Sequence, residues 1–285
     1  MIRVIGGRSL RLPDFLGIGP PRTATTWLEQ VLRGRVGLPE GIKETQFFLV
    51  WRYQLGLKWY AAHFRKCRPD LPVGEFGPLY FDSPEARDRI ARDLPECRII
   101  CTLRDPVERL YSHYRLWRRG YTKATFEHAA FKHRQLLDTT RYADHLQGWL
   151  DRFGRERVLV LLNDDLETDQ QGYIDRVCDF IGIERFDVSG AELANRRVHA
   201  VERAPRSFRT ARRAQYVKRK LHRRRLYRLA KLIDPIFEYC LTGGAPYPPL
   251  DPELAARIRA SLRPQVEALE KLIDRDLSAW KYQAG

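Results

Sequence analysis

Three apolar runs punctuate the chain, each behind one leading charge: DFLGIG at 14–19, RIICTL at 98–103 and RVLVLL at 157–162. They are short, and polar residues do not alternate within them. That pattern belongs to strands covered on both faces, as in a parallel sheet. A segment of helical period follows each run. Residues 24–34 put Trp27, Leu28, Val31 and Leu32 on one face, Pro106 opens a helix to about Arg119, and 168–182 form a third. The alternation predicts an α/β fold with helices on both faces of a central parallel sheet.

Further on, 206–232 predicts one long helix with a ragged stripe of Phe208, Ala211, Ala214, Val217, Leu221, Leu229 and Leu232. A Gly/Pro-rich joint, TGGAPYPPLDP at 242–252, precedes a last amphipathic helix over about 252–275. No internal repeat is evident. The pattern is that of a single domain over 1–285, with 200–245 behaving as a basic helical insertion.

Composition sharpens this picture in two places. Forty-four per cent hydrophobic and 11% aromatic residues in 285 place the chain among folded globular proteins. The net charge of +15 is local. Thirteen of the 51 Lys and Arg residues fall between Arg203 and Ile233 with no acid among them, and the other 38 nearly balance the 36 Asp and Glu. That cluster suits a solvated helix face, an anionic membrane surface, an anionic acceptor or, less well, nucleic acid, for which no accompanying motif is present. No apolar run reaches the length of a transmembrane helix. The N-terminal stretch lacks a leader-like apolar core, and the five cysteines form no C-x-x-C pair. Together these predict a cytoplasmic protein, peripheral to a membrane at most.

The chemistry is concentrated at 17–27, GIGPPRTATTW. From Gly19 onward it follows a Walker A loop, G-x-x-x-x-G-K-[ST], with two departures: Ala24 stands for the second glycine and Thr25 for the lysine. The cation lies upstream, at Arg22. A strand–loop–helix unit rich in small and hydroxyl residues offers amide donors to an anion. It equally describes a helix start capped by Thr25 or Thr26. A second stretch, CTLRDPVERLYSHYRLWRRG at 101–120, puts Arg104 at the C-terminal end of a strand and Ser112 two helical turns later. Ligands of open α/β sheets bind at strand C-termini, so a second anion site there suits a ligand phosphorylated at two ends.

Together the two stretches resemble the sulfotransferases that use 3′-phosphoadenosine 5′-phosphosulfate (PAPS). Pro21, Arg22, Thr23, Ala24, Thr25, Thr26 and Trp27 fall on that family's first motif, and Arg104, Asp105, Pro106 and Ser112 on its second. IKETQFFLVWRYQLGLKWYAAHF at 42–64 and VGEFGPLYFDSPEARDRI at 73–90 are similar to its Golgi heparan-sulfate branch, as is the C-terminal stretch from Tyr247. The resemblance implies a three-layer fold like that of P-loop nucleotide hydrolases, with PAPS as co-substrate and adenosine 3′,5′-bisphosphate (PAP) as product, and no metal. It implies that residues 22–26 grip the 5′-phosphosulfate, that Arg104 and Ser112 hold the 3′-phosphate, and that Trp27 lies near the adenine. The sequence departs from the family in Arg22 for a lysine, Ala24 for a glycine and Phe76 where a lysine usually follows the glutamate. The late basic motif that completes the nucleotide site is not legible near 241–247, and a cation from 203–213 is the expected substitute.

On this resemblance Glu44 is the general base and Arg22 steadies the leaving phosphate, with a hydroxyl acceptor preferred to an amine. The acceptor class, whether small molecule, lipid or saccharide, stays open. His63 and His113 are reserve bases, and a solvent-facing pair with Lys43 is the structural alternative for Glu44. A P-loop nucleotide kinase or NTPase, with Asp164 or Asp165 as its metal-holding acid, is the alternative enzyme. A basic nucleic-acid- or membrane-binding protein without catalysis is the alternative class.

Overall fold

The computed structural model describes residues 2–5, 8–188, 203–224 and 226–282. The parts of the basic segment at 200–202 and 225 lie outside them. The chain divides into two compact units, each assembled from distant segments. The first comprises Met1–Asp105, Arg141–Val198 and Ala268–Arg275, and the second Pro106–Thr140, His199–Glu267 and Asp276–Gly285.

The first unit is built on a parallel sheet. Its strands are β3 (Phe15–Gly17), β4 (Gly74–Phe76), β5 (Arg98–Leu103) and β6 (Val158–Leu162), in the spatial order β4-β3-β5-β6. Phe15 pairs with both Gly74 and Arg98, and Ile99 with Val158. The three predicted runs supply three of these strands. The fourth, β4, is only three residues long and carries a glutamate, too little pattern to predict a strand. A short antiparallel ribbon, β1 (Ile2–Ile5) with β2 (Arg8–Arg11), precedes them.

Phe15, Ile100 and Leu161 from the sheet pack with Trp27, Leu28 and Val31 of the helix Thr25–Val31, and with Tyr173, Ile174, Val177 and Cys178 of the helix Gln170–Ile181. Full burial of side chains of this size contributes ~1.5–3 kcal/mol each. This core fixes the sheet's C-terminal edge, from which the functional loops emerge.

In the second unit the helix Pro106–Trp117 buries Val107, Leu110, Tyr111 and Tyr114 against Phe126, Ala129, Leu136, Ile258 and Leu262. The basic segment is not one long helix. It forms Phe208–Arg223, Tyr227–Leu232 and Asp234–Thr242. The Leu226 amide reaches back to the Leu221 carbonyl at 3.0 Å, a bond that closes a helix C-terminus. Ala211 and Ala214 then meet Phe237 and Leu241, so the stripe read along one helix folds back on a second.

Candidate active site

The loop after β3 is seated on β5. The Ile18 amide donates to the Ile100 carbonyl at 2.9 Å. At Gly19 a methyl group would fall onto the side-chain and carbonyl oxygens of Thr102 and lie 2.8 Å from its amide nitrogen. Only glycine permits that approach. The buried Thr23 hydroxyl meets Thr102 Oγ1 at 2.7 Å and lies 2.8 Å from the Pro20 carbonyl, to which it donates. Two non-glycine residues here have positive φ, Arg22 at 82° and Ala24 at 63°. Such backbone costs an L-residue about 1–2 kcal/mol and is typical of ligand-binding loops. Ala24 thus holds a conformation that glycine adopts without penalty, and it caps the helix with no side-chain bond. Thr23 and Thr25 are turned inward, whereas Arg22, Ala24 and Thr26 remain half-buried. Trp27 is a core residue, edge-on to Tyr173 with ring centroids 5.9 Å apart.

Opposite Thr26 lies the segment that carries Glu44. Lys43 Nζ donates to Thr26 Oγ1 at 2.8 Å and to Glu44 Oε1 at 3.2 Å. The sequence treats Lys43 as a mere neighbour of Glu44; the fold makes it the link between loop and carboxylate. Phe47 and Phe48 anchor this segment. Both are fully buried, Phe47 stacked on Tyr60 at 4.5 Å and Phe48 edge-on to Tyr60 and Tyr80. Behind them Glu75 of β4 accepts from the Thr45 amide at 3.1 Å, Tyr60 Oη at 3.0 Å and Tyr80 Oη at 2.8 Å. Burial pushes its carboxyl above the usual glutamate range, against the opposing pull of those donors. Arg52 donates to the Thr45 carbonyl. The backbone beside Glu44 is therefore pinned from both sides. Phe76, one residue on, is part of the core.

Arg104 follows β5 directly and is half-buried. Ser112 is buried on the helix Pro106–Trp117, in the second unit. The two reserve histidines are committed to their surroundings. His63 Nδ1 lies 3.1 Å from the Trp59 carbonyl, and its ring packs on Trp59. His113 Nδ1 faces the buried Arg109 guanidinium at 3.2 Å, which makes that nitrogen an acceptor. Asp165, one of the two acids of the kinase alternative, accepts from Arg176 at 2.9 Å and from Arg275 at 2.8 Å; the other, Asp164, is exposed. Burial opposes ionisation there, but Arg275 and Arg176 hold the carboxyl below the usual range. Among the described residues, no three His, Cys, Asp or Glu side chains cluster as a metal site would require.

The fold thus brings together a strand–loop–helix turn with strained backbone, the end of a second strand at Arg104, and a carboxylate linked to the loop through Lys43. Residues 12–230 match the model of the sulfotransferase domain, and the chain belongs to that family. It is 32% identical over 190 residues to human heparan sulfate glucosamine 3-O-sulfotransferase 3B1, covering 63% of this chain and 48% of that protein. Against human bifunctional heparan sulfate N-deacetylase/N-sulfotransferase 3 it is 30% identical over 198 residues, with 61% and 22% covered. It therefore spans less than half the length of these relatives. A sulfotransferase from Alicyclobacillus acidocaldarius shares the fold, with a TM-score of 0.67 at 20% identity, covering 96% of this chain and all of that one.

These relatives correct the cytoplasmic placement. With them stands a membrane-associated sulfotransferase, kil1 of Dictyostelium discoideum, 32% identical over 113 residues that cover 39% of this chain and 24% of that protein. The unpaired cysteines misled because Cys97, Cys101 and Cys178 are buried, and burial pushes each thiol up. They fill core volume and say nothing of redox compartment. Among the described residues, no helix is long and apolar enough to cross a membrane.

Proposed function

We propose that the chain transfers a sulfuryl group from PAPS to a hydroxyl of a saccharide acceptor, with Glu44 as general base. The observation that carries this is the hydrogen-bonded connection from Thr26 of the loop through Lys43 to Glu44, at 2.8 and 3.2 Å. It sets a carboxylate beside the loop that would hold the phosphosulfate. Both histidine alternatives are buried, at 4% and 7% exposure, outside the Thr26–Lys43–Glu44 chain. The saccharide acceptor follows the named substrates of the relatives, one an O-sulfotransferase and one an N-sulfotransferase. The kinase alternative gives way to family membership and to the two arginines on Asp165.

In this scheme the acceptor oxygen attacks sulfur in line, and its proton passes to Glu44. The bond from sulfur to the bridging oxygen breaks, and its electron pair stays on the 5′-phosphate of PAP. Arg22, always charged, lies against that oxygen and stabilises the growing charge. Thr26 and the loop amides, including that of Thr25, orient the phosphosulfate, with Thr23 holding the loop to the sheet. Arg104 takes the 3′-phosphate. The test is transfer of radiolabelled sulfuryl from PAPS to a heparan oligosaccharide with every amine acetylated, which offers only hydroxyls. Label should be incorporated. Label that appears only when free amines are restored contradicts the hydroxyl assignment.

A second surface supports an anionic membrane as partner. Beside the cations of 203–233, Leu229 and Leu232 of one short helix and Ile236 and Tyr239 of the next are all exposed, Leu232 at 76%. Apolar side chains amid cations suit a lipid headgroup layer better than a polyanion. Flotation with phosphatidylserine-containing vesicles should be lost in a Leu232→Glu/Ile236→Glu variant. Retention of binding by that variant, or binding only to DNA, contradicts it.

A further inference from the structure

The proposed reaction leaves Lys43 without a task, yet its position is specific. Its ammonium lies 2.8 Å from the loop hydroxyl of Thr26 and 3.2 Å from the carboxylate of Glu44. Both side chains of the pair are about three-quarters shielded, at 28% and 27% exposure, unlike the more exposed surface pair Lys66–Glu40. The hydrogen bond to Thr26 is formed across the loop, by a residue 17 positions away. A surface ion pair between sequence neighbours needs no such third partner.

The geometry of in-line transfer gives this position a meaning. The sulfuryl group must lie between the attacking oxygen, which is next to the base, and the bridging oxygen, which is next to the loop. A cation that touches both loop and base therefore flanks the sulfuryl group itself. We infer that Lys43 is the sulfuryl-binding cation of this site, donating to the non-bridging sulfuryl oxygens of the bound donor. This rests on the reading of 22–26 as the phosphosulfate loop and Glu44 as the base. An ammonium has three donors, so Lys43 can keep Thr26 and Glu44 while it meets a sulfuryl oxygen. Arg22 would then serve the leaving phosphate and Lys43 the group in transit, a division between two cations on separate segments.

PAPS carries the sulfuryl group and PAP does not, so the two ligands separate this role from a general effect on the loop. Calorimetric titration without acceptor should show Lys43→Met binding PAPS about tenfold or more weakly than the wild type, as expected for a lost charge-assisted hydrogen bond. Its affinity for PAP should stay within twofold. Lys43→Arg should recover PAPS binding to within about threefold. Equal weakening of both ligands would mean a scaffolding role in the loop, and no change in either a surface ion pair; each overturns the inference. A wild-type protein that binds neither nucleotide would instead overturn the donor-site reading, and the inference with it.

Discussion

The seating of the loop on β5 is tested most sharply at Gly19. In Gly19→Ala the new methyl meets the Thr102 side-chain and carbonyl oxygens and comes within 2.8 Å of its amide nitrogen. Two of these three are backbone atoms, so no rotamer change removes the clash. Loop or strand must move by about 1 Å to restore the ~3.5 Å separation of unstrained contacts. Overpacking of this kind costs about 1–3 kcal/mol. The shift also breaks the 2.7 Å contact between Thr23 and Thr102, worth about 1 kcal/mol net. Against this, alanine restricts the unfolded chain and returns about 0.4–1 kcal/mol. The balance is a loss of about 1–3.5 kcal/mol, or a fall in Tm of about 2–6 °C for a chain of this size, at roughly 2 °C per kcal/mol. Thermal denaturation with and without PAP reads both consequences: the lower melting point and the loss of ligand stabilisation. Thr102→Val, which deletes only the hydroxyl, should cost about 1 kcal/mol. A Gly19→Ala protein that melts no more than about 1 °C below wild type and is still stabilised by PAP refutes this seating.

Three further outcomes follow from the same geometry. Arg104→Met should weaken PAP by about 10–100-fold, the range for charge-assisted bonds to phosphate, and leave AMP, which lacks the 3′-phosphate, within threefold; equal losses contradict the assignment. Glu75 titrates above the usual value of about 4.3, so the folded state holds its proton more tightly than the unfolded state. Its stabilisation is full at low pH and is lost as pH rises through the raised value. Urea midpoints of wild type relative to Glu75→Gln should therefore fall as pH climbs from 4 to 8, and a rise refutes the sign. Asp165 has the opposite sense, with stability present above the usual aspartate value and lost as pH falls through its lowered one. Asp165→Asn should cost about 1 kcal/mol at pH 7, given its half-exposed arginine partners. PAP titration should be unaltered in that variant, whereas a loss of nucleotide binding would restore the kinase-like role.

Strands β3, β5 and β6 were legible because both faces are buried, which leaves an unbroken apolar run. Strand β4 was not, since three residues around a buried glutamate carry no period. The turn after Arg223 was hidden as well. A segment rich in Lys and Arg continues a helix by propensity, and the apolar contacts of Ala211 and Ala214 with Phe237 and Leu241 decide where it folds back. At the site, Arg22, Thr26 and Glu44 stood out by type and spacing. Thr102, Lys43 and Glu75 did not, because their roles come from approaches between distant segments, Lys43 to Thr26 and Thr45 to Glu75; Gly19 opened the Walker-like pattern, but its approach to Thr102 comes from the fold. Trp27 carries two signals, its place in the motif and its apolar periodicity, and the second explains its packing in the core against Tyr173.

The central claim, that Glu44 takes the acceptor's proton beside the donor loop, is tested most directly by Glu44→Gln, with sulfuryl transfer from PAPS and PAP affinity measured on one preparation. The substitution keeps size and shape, and a neutral amide oxygen can still accept from Lys43, while the base and its charge are lost. Transfer should fall by at least about 100-fold, the lower end of what a positioned base contributes, while PAP binds within twofold of wild type. Transfer within threefold of wild type would contradict the claim.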